Sequence, residues 1–259
     1  MKLNLNKLFI IARYTASEII NSKILLNTFF IGLGLSVLTY VAYSFSYGDP
    51  SRIALDFGVG MLSISSVGIA IFMGVSLLYD EIESRTIYQV ISRPVSRASF
   101  LVGKLIGLSF VLILNILILS TISLTLYFAI DGDFQPLILW SILFTIIESI
   151  IVLVVVSFFS LLTSKVLSVI LTIFLYLVGH GISGVKLLSF VENRPYLERI
   201  IDLYQFILPG FYKLNIKEFL LYKKTLPLDY LIGTSLYGIT YALALVSISI
   251  YVFNKKDLN

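Results

Sequence analysis

Long apolar runs separated by short charged breaks set the rhythm of this chain. A helix needs about 20 mostly apolar residues to cross the hydrocarbon of a bilayer. Six runs reach that length: Ile24–Gly48, Phe57–Tyr79, Leu105–Ile130, Pro136–Thr163, Val166–Val185 and Tyr230–Asn254. Asp49-Pro50-Ser51-Arg52 breaks the first from the second, Asp131-Gly132-Asp133 ends the third, and Lys255-Lys256-Asp257 closes the sixth. The pattern predicts an all-α integral membrane protein of six spans, one domain over 1–259, with both termini on one side. Ahead of the first span, Leu5, Leu8, Phe9, Ala12, Ala16, Ile19 and Ile20 recur at helical spacing while Lys7, Tyr14 and Glu18 face away. Residues 1–23 are therefore expected to form an amphipathic helix, lying along the membrane interface, packed on its own protein, or both. The stretch 186–229 mixes polar and apolar residues and predicts two amphipathic helices, Phe190–Phe206 and Tyr212–Tyr222, on either side of Leu208-Pro209-Gly210. Tyr196, Tyr204, Tyr212, Tyr222 and Tyr230 suit a membrane-water boundary.

Composition agrees with this pattern. Of 259 residues 58% are hydrophobic and only 13% charged, against roughly 25% charged in soluble proteins, and the mean hydropathy is +0.97. With no cysteine and one histidine, disulfide scaffolds, zinc sites, iron-sulfur clusters and bis-histidine haem have no ligands to draw on. The first 23 residues lack the charge-free core and small-residue cleavage site of a signal peptide, so the segment is expected to stay attached.

The net charge of +4 bears on orientation before it bears on partners, because basic residues flank spans on the cytoplasmic side. One side collects Lys2, Lys7, Arg13, Lys23, Arg85, Arg93, Arg97, Lys104, Lys165, Lys255 and Lys256, whereas the two short connections on the other contribute only Arg52. The termini and the link between spans two and three are thus expected in the cytoplasm, and no nucleic-acid partner is expected. The long connection 186–229 runs against this count with seven basic residues, but it also carries five acids.

The link from Leu78 to Lys104 is the one short connection dense in both signs of charge. Glu81 and Arg85 stand four apart and support a helix continuing out of span two. Ile87, Val90 and Ile91 then make an apolar stripe. Pro94 turns Arg93 from helical geometry, and Ser96 is placed to cap the helix that re-enters as span three. A short helix with an apolar face is what docks into a partner's groove. Packing on the underside of the bundle satisfies the same stripe.

These residues carry a family resemblance. Asp80-Glu81-Ile82-Glu83-Ser84-Arg85-Thr86-Ile87, followed by Ser92-Arg93-Pro94-Val95-Ser96-Arg97 and Phe100-Leu101-Val102-Gly103-Lys104, resembles the cytoplasmic signature of ABC-2 type transporter permeases, especially the six-span NosY-like branch. Leu208-Pro209 in the long connection and the tail Phe253-Asn254-Lys255-Lys256-Asp257-Leu258 are similar to the same family.

The resemblance implies a permease that pairs with a second permease, as homodimer or heterodimer, and with two copies of a separate ABC ATPase. The 80–98 element would be the coupling helix set into a cleft of that ATPase. Glu81, Glu83, Arg85 and Thr86 would make polar contacts, Ile87, Val90 and Ile91 would fill the groove, and Arg93, Pro94 and Arg97 would hold the turn. ATP and Mg2+ would sit on the ATPase. This chain has no phosphate loop of its own, since Gly103-Lys104 lacks the preceding glycine and the following hydroxyl residue. A bacterial inner-membrane exporter is implied. The same architecture also fits a device passing ATPase-driven motion to an envelope partner at the outer loop, and the bare six-span pattern fits an ATP-independent scaffold or channel.

Polar groups inside spans are the remaining candidates. Glu148 lies halfway along span four, where a charge is costly and is paired, turned inward or protonated, so it is either a substrate or proton contact or a packing residue. His180 stands between Gly179 and Gly181, the surroundings of a structural hydrogen bond more often than of a ligand. Asn115 in span three is expected to join helices. Ser66, Ala70 and Gly74, and Ser99, Gly103 and Gly107, repeat every four residues and predict close helix packing, within the chain or between subunits.

Overall fold

The computed structural model describes residues 5–45, 49–83, 96–186, 194, 196, 199, 201, 204 and 208–256. In chain order these form α1 (Leu5–Asn21), α2 (Ile24–Ser44), α3 (Pro50–Glu83), α4 (Arg97–Ala129), α5 (Pro136–Leu162), α6 (Lys165–Lys186), a 3-10 turn (Phe211–Lys213), α7 (Lys217–Leu221) and α8 (Leu228–Lys255), with no strand among the described residues. Six of the helices, α2 to α6 and α8, are long and apolar enough to span a membrane. The six run in alternating directions, so that α1, the ends of α3, α5 and α8 and the starts of α4 and α6 gather at the end that carries the termini.

The helices outrun the charge-free stretches. α3 starts at Pro50 rather than Phe57 and α4 at Arg97 rather than Leu105. A charge limits how deep a residue sits, while the helix continues until its hydrogen bonding is stopped. At Asp49 the carboxylate accepts from the Ser51 amide at 3.2 Å and the Ser51 hydroxyl at 2.9 Å, opening α3. Ser96 is the N-cap of α4, extended at φ −73° and ψ 145°, and its Oγ accepts from the Ser99 amide, as the sequence predicts.

α5 is the centre of the bundle. Its sequence is hydrophobic all round, which suits a helix enclosed by others. Phe144, Ile151, Val152, Leu153 and Val156 are fully buried, with α3, α4, α6 and α8 packed around them. Both small-residue stripes serve contacts within the chain. A Cβ on Gly74 of α3 would lie 2.3 Å from Val156 Cγ1 of α5, and one on Gly107 of α4 would lie 2.6 Å from the Ala12 carbonyl of α1. α1 is thus seated directly on the backbone of α4 through Ala12, Thr15 and Ala16, all buried. The seated face differs from the expected stripe. Phe9 and Ile20 flank it and stay exposed, and Thr15 takes a buried place, while Ile11, counted on the other side of the expected stripe, packs on Gly103. Lys23, at φ 63°, makes the sharp turn into α2.

At the end opposite the termini, residues 208–227 lie over the bundle as a strap. The single helix expected over Tyr212–Tyr222 is instead the 3-10 turn and α7, parted at Leu214–Ile216. Phe211, Leu214, Ile216 and Leu220 are buried; with apolar anchors at both ends and in the middle, one straight helix could not seat them all. Lys223, at φ 51°, follows the end of α7. The expected helix Phe190–Phe206 lies largely outside the described residues.

Candidate functional site

Two groups of residues carry the candidate chemistry, one at each end of α3. The first is the link between α3 and α4. Arg85, Thr86, Ile87, Val90, Ile91, Arg93 and Pro94 lie outside the described residues. Glu81 and Glu83 belong to the last turn of α3, which continues beyond the apolar run as the sequence predicts. Arg97, the first residue of α4, reaches across to the end of α8. Its Nη1 donates to the Lys256 carbonyl at 2.9 Å and lies 3.4 Å from the carbonyls of Phe253 and Asn254. The last carbonyls of a helix run out of donors along their own helix, and a cation there complements the negative end of the helix dipole. Lys256 in turn donates from Nζ to the Leu161 carbonyl at the end of α5, at 2.6 Å. Two side chains thus tie together the ends of α4, α5 and α8 beside the link.

The second group lines a cavity of about 360 Å3 between α3, α5, α6 and the strap. Glu148 of α5 is 3% exposed, and its Oε1 lies 2.7 Å from Nε2 of His180 on α6. The two intramembrane groups singled out separately in the sequence are therefore partners. One turn away, the Tyr176 hydroxyl faces the side chains of Glu148 and Ser63, and its ring meets the His180 imidazole edge-on at 4.6 Å between centroids. Phe211 from the strap stacks on His180 at 5.8 Å and also meets the Tyr176 ring at 5.2 Å, so the three rings form one cluster. That stacking needs Gly179, where a Cβ would lie 2.6 Å from the Phe211 ring and 2.7 Å from the Pro209 carbonyl. Ser141 and Thr145 complete the polar wall on α5, with Val59, Ile64, Leu177, Leu214 and Ile216 supplying the apolar surface.

At the rim, Lys217 of α7 pairs with Asp56 of α3 at 2.6 Å, holding the strap to the bundle. Further pins are Arg52 over the Tyr222 ring at 4.2 Å, Tyr237 accepting from the Gly210 amide at 2.9 Å, and Lys223 with Asp133 at 2.9 Å. The Asp133 carboxylate beside it holds the Lys223 amine above its ordinary pKa. The Ser51 hydroxyl holds Asp49 below the usual carboxylate range.

Asn115 stands apart from the cavity. It accepts from the Thr28 hydroxyl of α2 and donates to the Val111 carbonyl at 2.8 Å, the helix-joining contact expected of it. Tyr176, Ser63, Thr145 and the Asp56–Lys217 pair were not singled out in the sequence. A signal for part of this was present: Ser141, Thr145 and Glu148 share one face of α5, and Tyr176 and His180 stand four apart on α6. Among the described residues no group of three or more His, Asp or Glu gathers as a metal site.

In comparison with known proteins, the family model described as ABC-2 family transporter protein matches residues 10–258. No curated protein sequence matches the chain.

Proposed function

Since the chain belongs to the ABC-2 family of transporter proteins, we propose that it is the permease subunit of an ATP-driven exporter, working as one half of a permease dimer and docked through its 80–98 link onto two copies of a separate ATPase. The family match over nearly the whole chain carries this reading, and the six spanning helices agree with it. On it, the termini and the link face the cytoplasm, where their basic residues belong, and the strap 208–227 lies on the outer face. ATP and Mg2+ are held by the ATPase subunits.

The helices supply a mechanical route for coupling. α3 is a continuous helix of 34 residues, about 51 Å long at 1.5 Å per residue. It runs from the docking link at one end, past Ser63 in the cavity wall, to Asp56 and the strap at the other. A shift imposed on the link by ATP binding therefore reaches the cavity through one rigid element. α4 begins at the far side of the same link, and Arg97 passes its movement to the end of α8, with Lys256 extending the tie to α5. The cycle is then a movement of α3 against α5 and α6 that opens or narrows the cavity.

The test is isolation of the affinity-tagged chain from native membranes in mild detergent. A copurifying subunit with a phosphate loop and ATPase activity is the expected result. A chain that purifies alone, with its transport function intact in reconstituted vesicles without ATP, overturns the reading in favour of a channel. A reporter fused at residue 220 should behave as external; cytoplasmic behaviour would reverse the orientation.

A further inference from the structure

We propose that the cavity between α3, α5 and α6 is a binding site for a small organic cation, a protonated amine with an apolar body, whose ammonium group is held by Glu148. The inference names a substrate class for the permease reading and rests on it for transport, while the binding itself is independent of it.

The volume, about 360 Å3, falls within the roughly 300–1,000 Å3 of small-molecule pockets. The charges around it choose the sign of the ligand. Among the described residues, the ionisable groups facing the cavity are Glu148 from α5, His180 and Tyr176 from α6, and Lys217 from α7 with Asp56 of α3 beside it. Lys217 and Asp56 are held against each other at the rim and cancel. In the depth of the cavity the carboxylate is Glu148, with His180 as its partner within the chain, and a carboxylate in a membrane interior draws donors and positive charge to itself. His180 meets one of its oxygens and the Tyr176 hydroxyl also faces it, but a carboxylate accepts about four hydrogen bonds. Capacity remains for an N–H donor from the cavity side.

The aromatic groups favour the same ligand. The Tyr176 ring stands beside the carboxylate, and a cation near an aromatic face is attracted to it by about 0.5–2 kcal/mol. Val59, Ile64, Leu177, Leu214 and Ile216 offer an apolar wall to the rest of the molecule, and Asn215 at the strap offers a polar contact near the rim. An anion would meet Glu148, and among the described residues of the wall the basic side chain, Lys217, is already paired with Asp56. A neutral apolar molecule would leave the polar wall unpaired.

The experiment uses the purified full-length protein in lipid nanodiscs and three fluorescent probes of one shape: dansyl-aminopentyl amine, the matching alcohol and the matching carboxylate. Saturable binding of the amine, at least tenfold tighter than the alcohol and with no binding of the carboxylate, is expected. Glu148→Gln should weaken the amine at least tenfold and leave the alcohol unchanged. Ser63→Leu, which fills the cavity and leaves the carboxylate in place, should weaken amine and alcohol alike. Equal binding of amine and alcohol by the unmodified protein, or no binding of the amine, would overturn the proposal, as would a folded Glu148→Gln protein that binds like the parent. Glu148-dependent amine binding by a chain that purifies without an ATPase would sink the permease reading and leave the site standing.

Discussion

Two pairs of polar side chains join helices inside the spans, and each pair has a different reach. Asn115 and Thr28 join α4 to α2 in a fully buried place, whereas Glu148 and His180 join α5 to α6 on the wall of a cavity. Interhelical hydrogen bonds in membranes are each worth about 0.6 kcal/mol on average and at most about 1.7. Asn115→Leu should therefore cost about 1 kcal/mol against unfolding in detergent, without changing amine binding. Combined with Thr28→Ala, the double variant should lose less than the sum of the two single losses, by about the worth of the shared bond. Strict additivity in thermal or denaturant unfolding would show that the two residues do not interact. Glu148, His180 and Asn115, unlike Thr28, are plain in the sequence as intramembrane polar groups, since each stands out in an apolar run. Their pairing is not, because Glu148 and His180 are 32 positions apart and their meeting depends on how α5 and α6 are rotated against each other.

Helix ends and helix contacts are unequally legible in the sequence. Serine before a charged turn marked the start of α4 through a local hydrogen bond, and such local rules survive tertiary packing. The strap did not follow its local pattern: Leu214 and Ile216 turn into the bundle, and the gain from burying them outweighs a continuous helix over 212–222. The glycine stripe on α4 gave close packing but not its partner, which is α1 of the same chain. At Gly107 the approach is backbone to backbone, so no side-chain adjustment can relieve a substitution. Gly107→Leu should lift α1 from the bundle and expose it to trypsin after Lys7 and Arg13, while the spans still insert. Gly34→Leu on α2, where a Cβ meets nothing within 4 Å, is the control and should cut no faster than the parent. Identical digestion of the two variants would mean that α1 is not held by this contact.

On the scale of the whole molecule, the link and the cavity lie about 30 Å apart along α3, counted as 20 residues from Ser63 to Glu83. Coupling over that distance requires a docked link and a bundle stiff enough to transmit its movement, and the two requirements are separable. Ile87 belongs to the docking face expected from the sequence; Arg97 belongs to the tie between α4 and α8. Because the chain has no cysteine, Ile64→Cys on α3 and Leu177→Cys on α6, both exposed and both on the cavity wall, can carry a pair of spin labels that report the cavity width. In the complex with its ATPase, adding ATP and vanadate should shift the distance between the labels. Ile87→Asp should remove the ATPase on purification and abolish the shift. Arg97→Ala should keep the ATPase bound, shrink the shift, and raise hydrogen exchange at residues 250–256, where the end of α8 loses its cap. An undiminished shift in the Ile87→Asp protein would place the docking surface elsewhere. An undiminished shift in Arg97→Ala with exchange raised would confine the role of Arg97 to capping α8, leaving α3 alone to carry the movement.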